Sequence, residues 1–309
     1  MSNTGAVIVA HENTEDAIRM LAAQKEIYSY AKILAFAQTF VVVPTPILLS
    51  LGCLYFDIPT DQTNNIFIIY TIVGSVIEIL LEFWIKQLKV DAASIQELFD
   101  VQTFGIHWND ALVPGRPDSG MIYRFFKKHS KNNDLSILQN WYSPEIREAP
   151  SNIAVIICQR TNCTYDFILK KRYTIAVLIT AVLVFLSLLI VSAYDDLSVR
   201  SFFIQVLAPL LPIFIWSIKR IAANREAIKS LHELKSLIER ILQDSKLDSI
   251  IDESAIRQIQ DKIYSGRISS PMLPDWLFFM LRNDLESEMH FTVKDKIKEL
   301  KSKNDKTPS

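Results

Sequence analysis

Residues 66–85, IFIIYTIVGSVIEILLEFWI, form an apolar run long enough to cross a bilayer, yet they carry two carboxylates, Glu78 and Glu82. Four residues apart, these share one face of a helix, one turn above the other. An ionised carboxylate facing lipid costs at least a few kcal/mol, so such groups face a partner helix or a water-filled cavity. The segment therefore directs the chain toward a helical membrane protein with a polar path, or a polar helix contact, inside it.

Three further segments fit a bilayer. Residues 33–56 hold one strongly polar side chain, Gln38, and place Pro44 and Pro46 near the middle. Proline removes a backbone donor and crowds the preceding turn, which predicts a kink or break there. The freed carbonyls then need a partner helix, a hydroxyl such as that of Thr45, or water. Residues 173–194 are uninterrupted and uncharged, while residues 202–218 are short and contain Gln205, Pro209 and Pro212. A proline-broken helix in each half of a chain can mark a binding site or gate, although no wider repeat accompanies this one.

Net charge is only −1 over 309 residues, but Lys and Arg are segregated beside the apolar runs. The positive-inside rule puts 1–32, 86–172 and 219–309 in the cytoplasm, and the short links 57–65 and 195–201 outside. Residues 1–32 carry Glu12, Glu15, Asp16 and Glu26 where a signal peptide would need an apolar core. The expectation is a multi-pass protein of an inner or plasma membrane, all-α, with four transmembrane helices and both termini cytoplasmic. Its cytoplasmic domain is helical, built from the central loop and the C-terminal region. No broad basic field suggests DNA binding.

Within the cytoplasmic parts, Thr14 is placed to cap a helix that runs to residue 32, and 92–104 suits an amphipathic helix. Short helices are expected at 121–128 and 135–142, and a longer one at 152–171 continues into the third span. Leu231, Leu234, Ile238 and Ile241 repeat at coiled-coil spacing for about two heptads, which fits either packing within the domain or oligomerisation. Ser254 can cap a helix through 264. The stretch 270–290 joins a proline turn to an aromatic cluster and suits an interfacial helix, with acidic residues after it that oppose deep insertion.

Catalytic signatures are missing. Seven glycines never cluster into a phosphate cradle, five histidines stand apart, and Cys53, Cys158 and Cys163 make neither a disulfide framework nor a metal-ligand pattern. Neither an enzyme, a metal nor a cofactor is expected. Glu78 reads either as a pore-lining or gating carboxylate, or as a helix–helix hydrogen-bond partner of Gln38, Ser75 or Gln205. Glu82 stands one turn from Lys86 and is better placed to pair with it. By topology both lie in the cytoplasmic half of their span, where the pair is placed to couple the domain to the spans.

The chain resembles the SMODS-associating four-transmembrane effectors, a family found beside CD-NTase enzymes in bacterial antiphage systems. The resemblance rests on LAAQKEIYSYAK (21–32), IQELFD and FGIHWN (95–109), NWYS (140–143), IICQRTNCTYDFILKKRY (156–173) and IYSGRISSPMLPDWLFFMLR (263–282), in that order. It implies a pore-forming effector of the bacterial inner membrane, opened by a cyclic oligonucleotide and acting as a homo-oligomer to halt growth. The other reading is a non-conducting membrane scaffold whose cytoplasmic helices bind a protein partner. An anionic, base-bearing ligand wants cations beside aromatic faces. Arg160 with Trp141 and Tyr142, or Arg267 with Trp276, meet that description, and each is equally explained as domain packing.

Overall fold

Several helix starts and stops among the described residues follow local chemistry. The computed structural model describes residues 4–56, 58–113, 115–194, 208–247, 249 and 251–305. Among these the helices are α1 (Ala6–His11), α2 (Glu15–Val42), α3 (Pro44–Tyr55), α4 (Thr60–Phe104), α5 (Ser119–Asn132), α6 (Ser151–Tyr194), α7 (Ala208–Asp244), α8 (Glu253–Ser269) and α9 (Asp275–Asp305). Two 3-10 turns, Leu135–Leu138 and Pro144–Glu148, join α5 to α6. The described residues contain a single antiparallel bridge, Thr4 to Pro150, and no longer strand. The chain is all-α.

Thr14 caps α2, its hydroxyl accepting the Ala17 N–H at 3.3 Å. Asp118 caps α5 through the Met121 N–H at 2.8 Å. At α8 the cap is Asp252 and not Ser254, because the Asp252 carboxylate accepts from both the amide and the hydroxyl of Ser254. Aspartate two residues upstream reaches the orphan amide, and the hydroxyl becomes a donor to it. The amphipathic stretch 92–104 is no separate helix but the end of α4, since nothing between Gly74 and Gly105 interrupts the ladder. Gly105 ends α4 in the left-handed region (φ 67°), and the Ile106 N–H turns back to the Val101 carbonyl at 3.1 Å. That 6→1 bond is a Schellman stop. The expected helix at 135–142 contracts to the 3-10 turn Leu135–Leu138, held by Asp134 on the Ser136 amide.

The chain divides into two compact units. The first comprises Met1–Tyr30, Leu88–Lys170 and Ala227–Ser309, and the second Ala31–Gln87 and Lys171–Glu226. The first unit has a conventional core, with Leu21, Ile95, Phe99, Ile156, Ile238 and Ile259 all fully buried. Leu231, Leu234, Ile238 and Leu242 of α7 enter this core, and Ile241 packs at its margin. The heptad-like spacing therefore serves packing within the chain. α1 closes one side: the Gly5 N–H donates to the Ala149 carbonyl at 2.8 Å, and Ile8 and Val9 are buried. A Cβ on Gly5 would stand 2.0 Å from the Ile146 carbonyl oxygen, so only glycine fits.

The second unit is inverted in character. Ile68, Ile69, Ile72, Val76, Ile79 and Phe83 of α4 are each more than half exposed. An apolar helix with apolar residues outward belongs in lipid. Two stretches, Glu15–Pro46 and Asp61–Phe104, are long and apolar enough to cross a membrane. The third expected span, 173–194, is the second half of α6. The fourth, 202–218, begins in residues outside the description, Gln205 among them, and for Pro209 and Pro212 only the backbone is described, in the opening turns of α7.

Candidate functional site

Two groups of polar residues stand out, one in each unit. In the second unit, Gln38 on α2 donates from Nε2 to Glu82 Oε2 at 3.0 Å, and Lys86 stands 3.8 Å from Glu82 Oε1. Glu82 thus joins two helices while also pairing along its own. Glu78, one turn away on α4, is half-buried and makes no hydrogen bond or ion pair among the described residues. Both carboxylates lie on the same side of α4, so one polar contact and one unengaged acid are stacked along it.

Beside this pair the first span comes apart at Val43. α2 ends at Val42 and α3 starts at Pro44. Pro44 cannot donate to the carbonyl of Phe40, and the Thr45 hydroxyl does so instead at 2.9 Å. The Tyr70 hydroxyl, from α4, donates to the Val41 carbonyl at 2.6 Å. Two side chains therefore stand in for backbone donors at the break.

In the first unit, Glu97 and Asp100 are three residues apart on α4 and point into the interior, where each is at most 1% exposed. Two carboxylates there would repel one another, and α8 supplies the counter-charge. Arg257 Nη2 donates to Glu97 Oε1 at 2.6 Å, and Arg267 Nη1 stands 2.7 Å from Asp100 Oδ2. Gln260 Nε2 bridges both acids at 2.8 and 2.9 Å and accepts, through Oε1, from Gln159 of α6 at 3.1 Å. The Tyr142 hydroxyl donates to Asp100 Oδ1 at 3.1 Å and accepts from Asn162 at the same distance.

Burial and the neighbouring Asp100 push the Glu97 carboxyl up, while Arg267 and the hydrogen bonds from Gln260 and Arg257 pull it back. For Arg267, burial disfavours the charge, but Asp100 and Glu97 outweigh it and hold the guanidinium ionised. Glu12, just past α1, is fully buried and accepts the Tyr142 N–H at 2.9 Å through Oε2, with Oε1 unmatched. Burial raises its pKa to about 7, with Tyr142 and Arg147 opposing.

The network is built of paired charges and hydrogen bonds between α4, α6 and α8. Burial pushes the Cys158 thiol up and that of Cys163 to about 12, so neither is a thiolate. No cluster of three metal-ligating side chains occurs among the described residues.

The sequence-derived ligand candidates are dispersed. Arg267 and Tyr142 meet in the network, both on Asp100. Arg160 is elsewhere, its Nε donating to Glu239 Oε1 at 2.5 Å. Trp141 is half-buried against the core, and Trp276 is 56% exposed on α9. Sequence reasoning missed Glu97, Asp100, Arg257, Gln260 and Glu12. The signal available was the acidic pair inside IQELFD, three apart on one helix face and roughly opposite Ile95 and Phe99.

The sequence profile of the family described as SMODS-associating 4TM effector domain matches residues 6–296. The chain belongs to this family. A member-length relative from Bacillus cereus (strain VD146), described as a probable CBASS effector molecule, is 28% identical over 287 residues. The alignment covers 90% of this chain and 94% of the relative. No solved structure matches the chain. The family match takes in α1 through most of α9, so both polar groups lie within the effector domain.

Proposed function

We propose that this protein is a membrane-permeabilising effector of bacterial antiphage defence, opened from the cytoplasmic side by a cyclic oligonucleotide that a CD-NTase makes after infection. The observation that carries this is an effector-family chain in which one unit has a water-soluble core and the other turns its apolar side chains outward around a Gln38–Glu82 contact. The relative's description as a CBASS effector supports the defence role. In this reading four spans cross the inner membrane, both termini stay in the cytoplasm, and several copies assemble, because four helices are few to enclose a water path in one chain. Glu78 lines or gates that path, and Glu82 couples it to the first unit.

The ligand's phosphates compete with protein carboxylates for arginine. At Arg160 they displace Glu239, and at Arg267 they displace Asp100. Either exchange swaps one charge-assisted pair for another and changes which helices are tied together. The test is release of a trapped dye from liposomes holding the purified full chain, with and without cyclic oligonucleotides. Release is expected with one of them. Absence of release with any of them, at densities where oligomers form, overturns the proposal.

A further inference from the structure

The first turns of α9 show an apolar face that the first unit leaves uncovered. Trp276, Phe279 and Met280 are 56%, 64% and 63% exposed. At spacings of three and four they occupy one stripe of the helix, while Leu277, Leu281 and Leu285 on the opposite side are buried. Asn283 and Asp284 close the stripe one turn on, so its apolar length is about two turns.

The surroundings of this stripe within the first unit fix where it lies along the chain's own helices. Phe278 packs on Tyr165 of α6, ring centroids 6.2 Å apart, eight residues before the uncharged run 173–194 begins. Ser270, at the end of α8, gives its carbonyl to Lys89 Nζ at 2.6 Å, and Lys89 follows the apolar run 66–85 by one turn. The stripe therefore belongs to the end of the unit from which the apolar helices depart.

A second patch meets the same boundary independently. On α5, Met121, Ile122, Phe125 and Phe126 pack inward, and Arg124, Lys127, Lys128 and Lys131 are exposed without an acidic residue between them. The Lys128 ammonium is 5.1 Å from the centre of the Tyr30 ring, and Tyr30 is three residues before the apolar run 33–56. Arg124, Lys127 and Lys131 make no ion pair among the described residues, in contrast to Lys296, Lys301 and Arg282 of α9.

We propose that the Trp276–Phe279–Met280 stripe of α9 lies in the headgroup layer of the bilayer, and that the basic face of α5 holds anionic phospholipid headgroups of the same leaflet. Aromatic side chains favour that layer, and nearby lysines and arginines add attraction to acidic lipid. The short stripe and the acidic residues after it limit α9 to lying at the surface. A cationic, convex helix face suits a charged plane, not a small ligand that needs a pocket. The inference rests on the membrane embedding of the second unit and is independent of pore opening or ligand identity.

The three native cysteines are buried, so Phe279→Cys introduces an accessible thiol for an environment-sensitive fluorophore. The labelled full chain is placed in phosphatidylcholine liposomes with or without phosphatidylglycerol, at low protein density. Lys262→Cys on the exposed side of α8 serves as the aqueous control. Iodide quenching at position 279 is expected to be about fivefold weaker than at 262, with quenching by shallow lipid nitroxides in its place. Phosphatidylglycerol is expected to strengthen this, and Lys127→Glu with Lys131→Glu to remove that dependence. Equal iodide quenching at the two positions overturns the proposal. So does protection at 279 that grows with protein density at fixed lipid, which identifies a second copy as the occupant. Resistance to carbonate extraction is measured on the same vesicles, so loss of embedding is distinguished from failure of this surface alone.

Discussion

Glu12 illustrates how a single side chain can impose a pH dependence on the first unit. Its carboxyl is buried on the Tyr142 amide, and burial raises its pKa from an ordinary 4.5 to about 7. The folded state therefore holds this proton more tightly than the unfolded state does. Its stabilising contribution is complete below about pH 4.5 and is lost as pH rises toward 7, amounting to about 3 kcal/mol. Glu12→Gln keeps an acceptor for Tyr142 and cannot ionise. Melting of wild type and variant across this window should show the wild type losing ground between pH 4.5 and 7; parallel curves count against the assignment. Arg267 gives the opposite case, a charge that must stay. Arg267→Met leaves Asp100 and Glu97 buried together with one fewer cation, and should cost about 3–5 kcal/mol in thermal or denaturant unfolding. The identity of these residues was open to reading, but their partners were not. Arg267 read as a ligand candidate because it is a cation that could stand with the aromatic Trp276. The acids that hold it, Asp100 and Glu97, come from α4, far earlier in the chain.

At the scale of elements, local chemistry accounts for most of what the sequence disclosed. Thr14 caps its helix and the apolar runs are helical across the described residues, because both depend on neighbours within a few residues. Tertiary packing decided the rest. The α7 repeat fits two destinations equally well as a pattern, and burial of Ile238 in its own unit's core selects one. Ile238→Ala should accordingly cost about 2–5 kcal/mol in stability, with no change of oligomeric state by light scattering. The docking of α1 was legible only as a short apolar stretch, AVIVAH, and its dependence on Gly5 was hidden. Gly5→Ala must push the Ile146 carbonyl away, and should cost about 1–3 kcal/mol with faster amide exchange across residues 6–11. Unaltered exchange there would show that the contact is dispensable.

For the whole molecule, two kinds of order are combined in one chain. The first unit is held by a buried core and a network of paired charges, and the second shows lipid-compatible helices joined by a few polar links. Stability measurements in detergent should therefore report mainly on the first unit, whose apolar burial does not need a bilayer. α2, α4, α6 and α7 each contribute residues to both units. A strain in the buried network need cross no loop to reach the other set of residues.

The interrupted first span has a consequence for energetics. Its backbone is completed partly by a phenol from another helix, so sliding α4 past α2 first breaks the Tyr70–Val41 hydrogen bond. A polar link of this kind inside a membrane contributes about 1 kcal/mol. That is a weak latch, one that biases a two-state equilibrium by about fivefold and not by orders of magnitude. Tyr70→Phe should then raise leakage in the absence of ligand by about that factor while leaving the ligand-saturated level unchanged. Under the proposed function, the threshold for opening is then set in part by one oxygen atom.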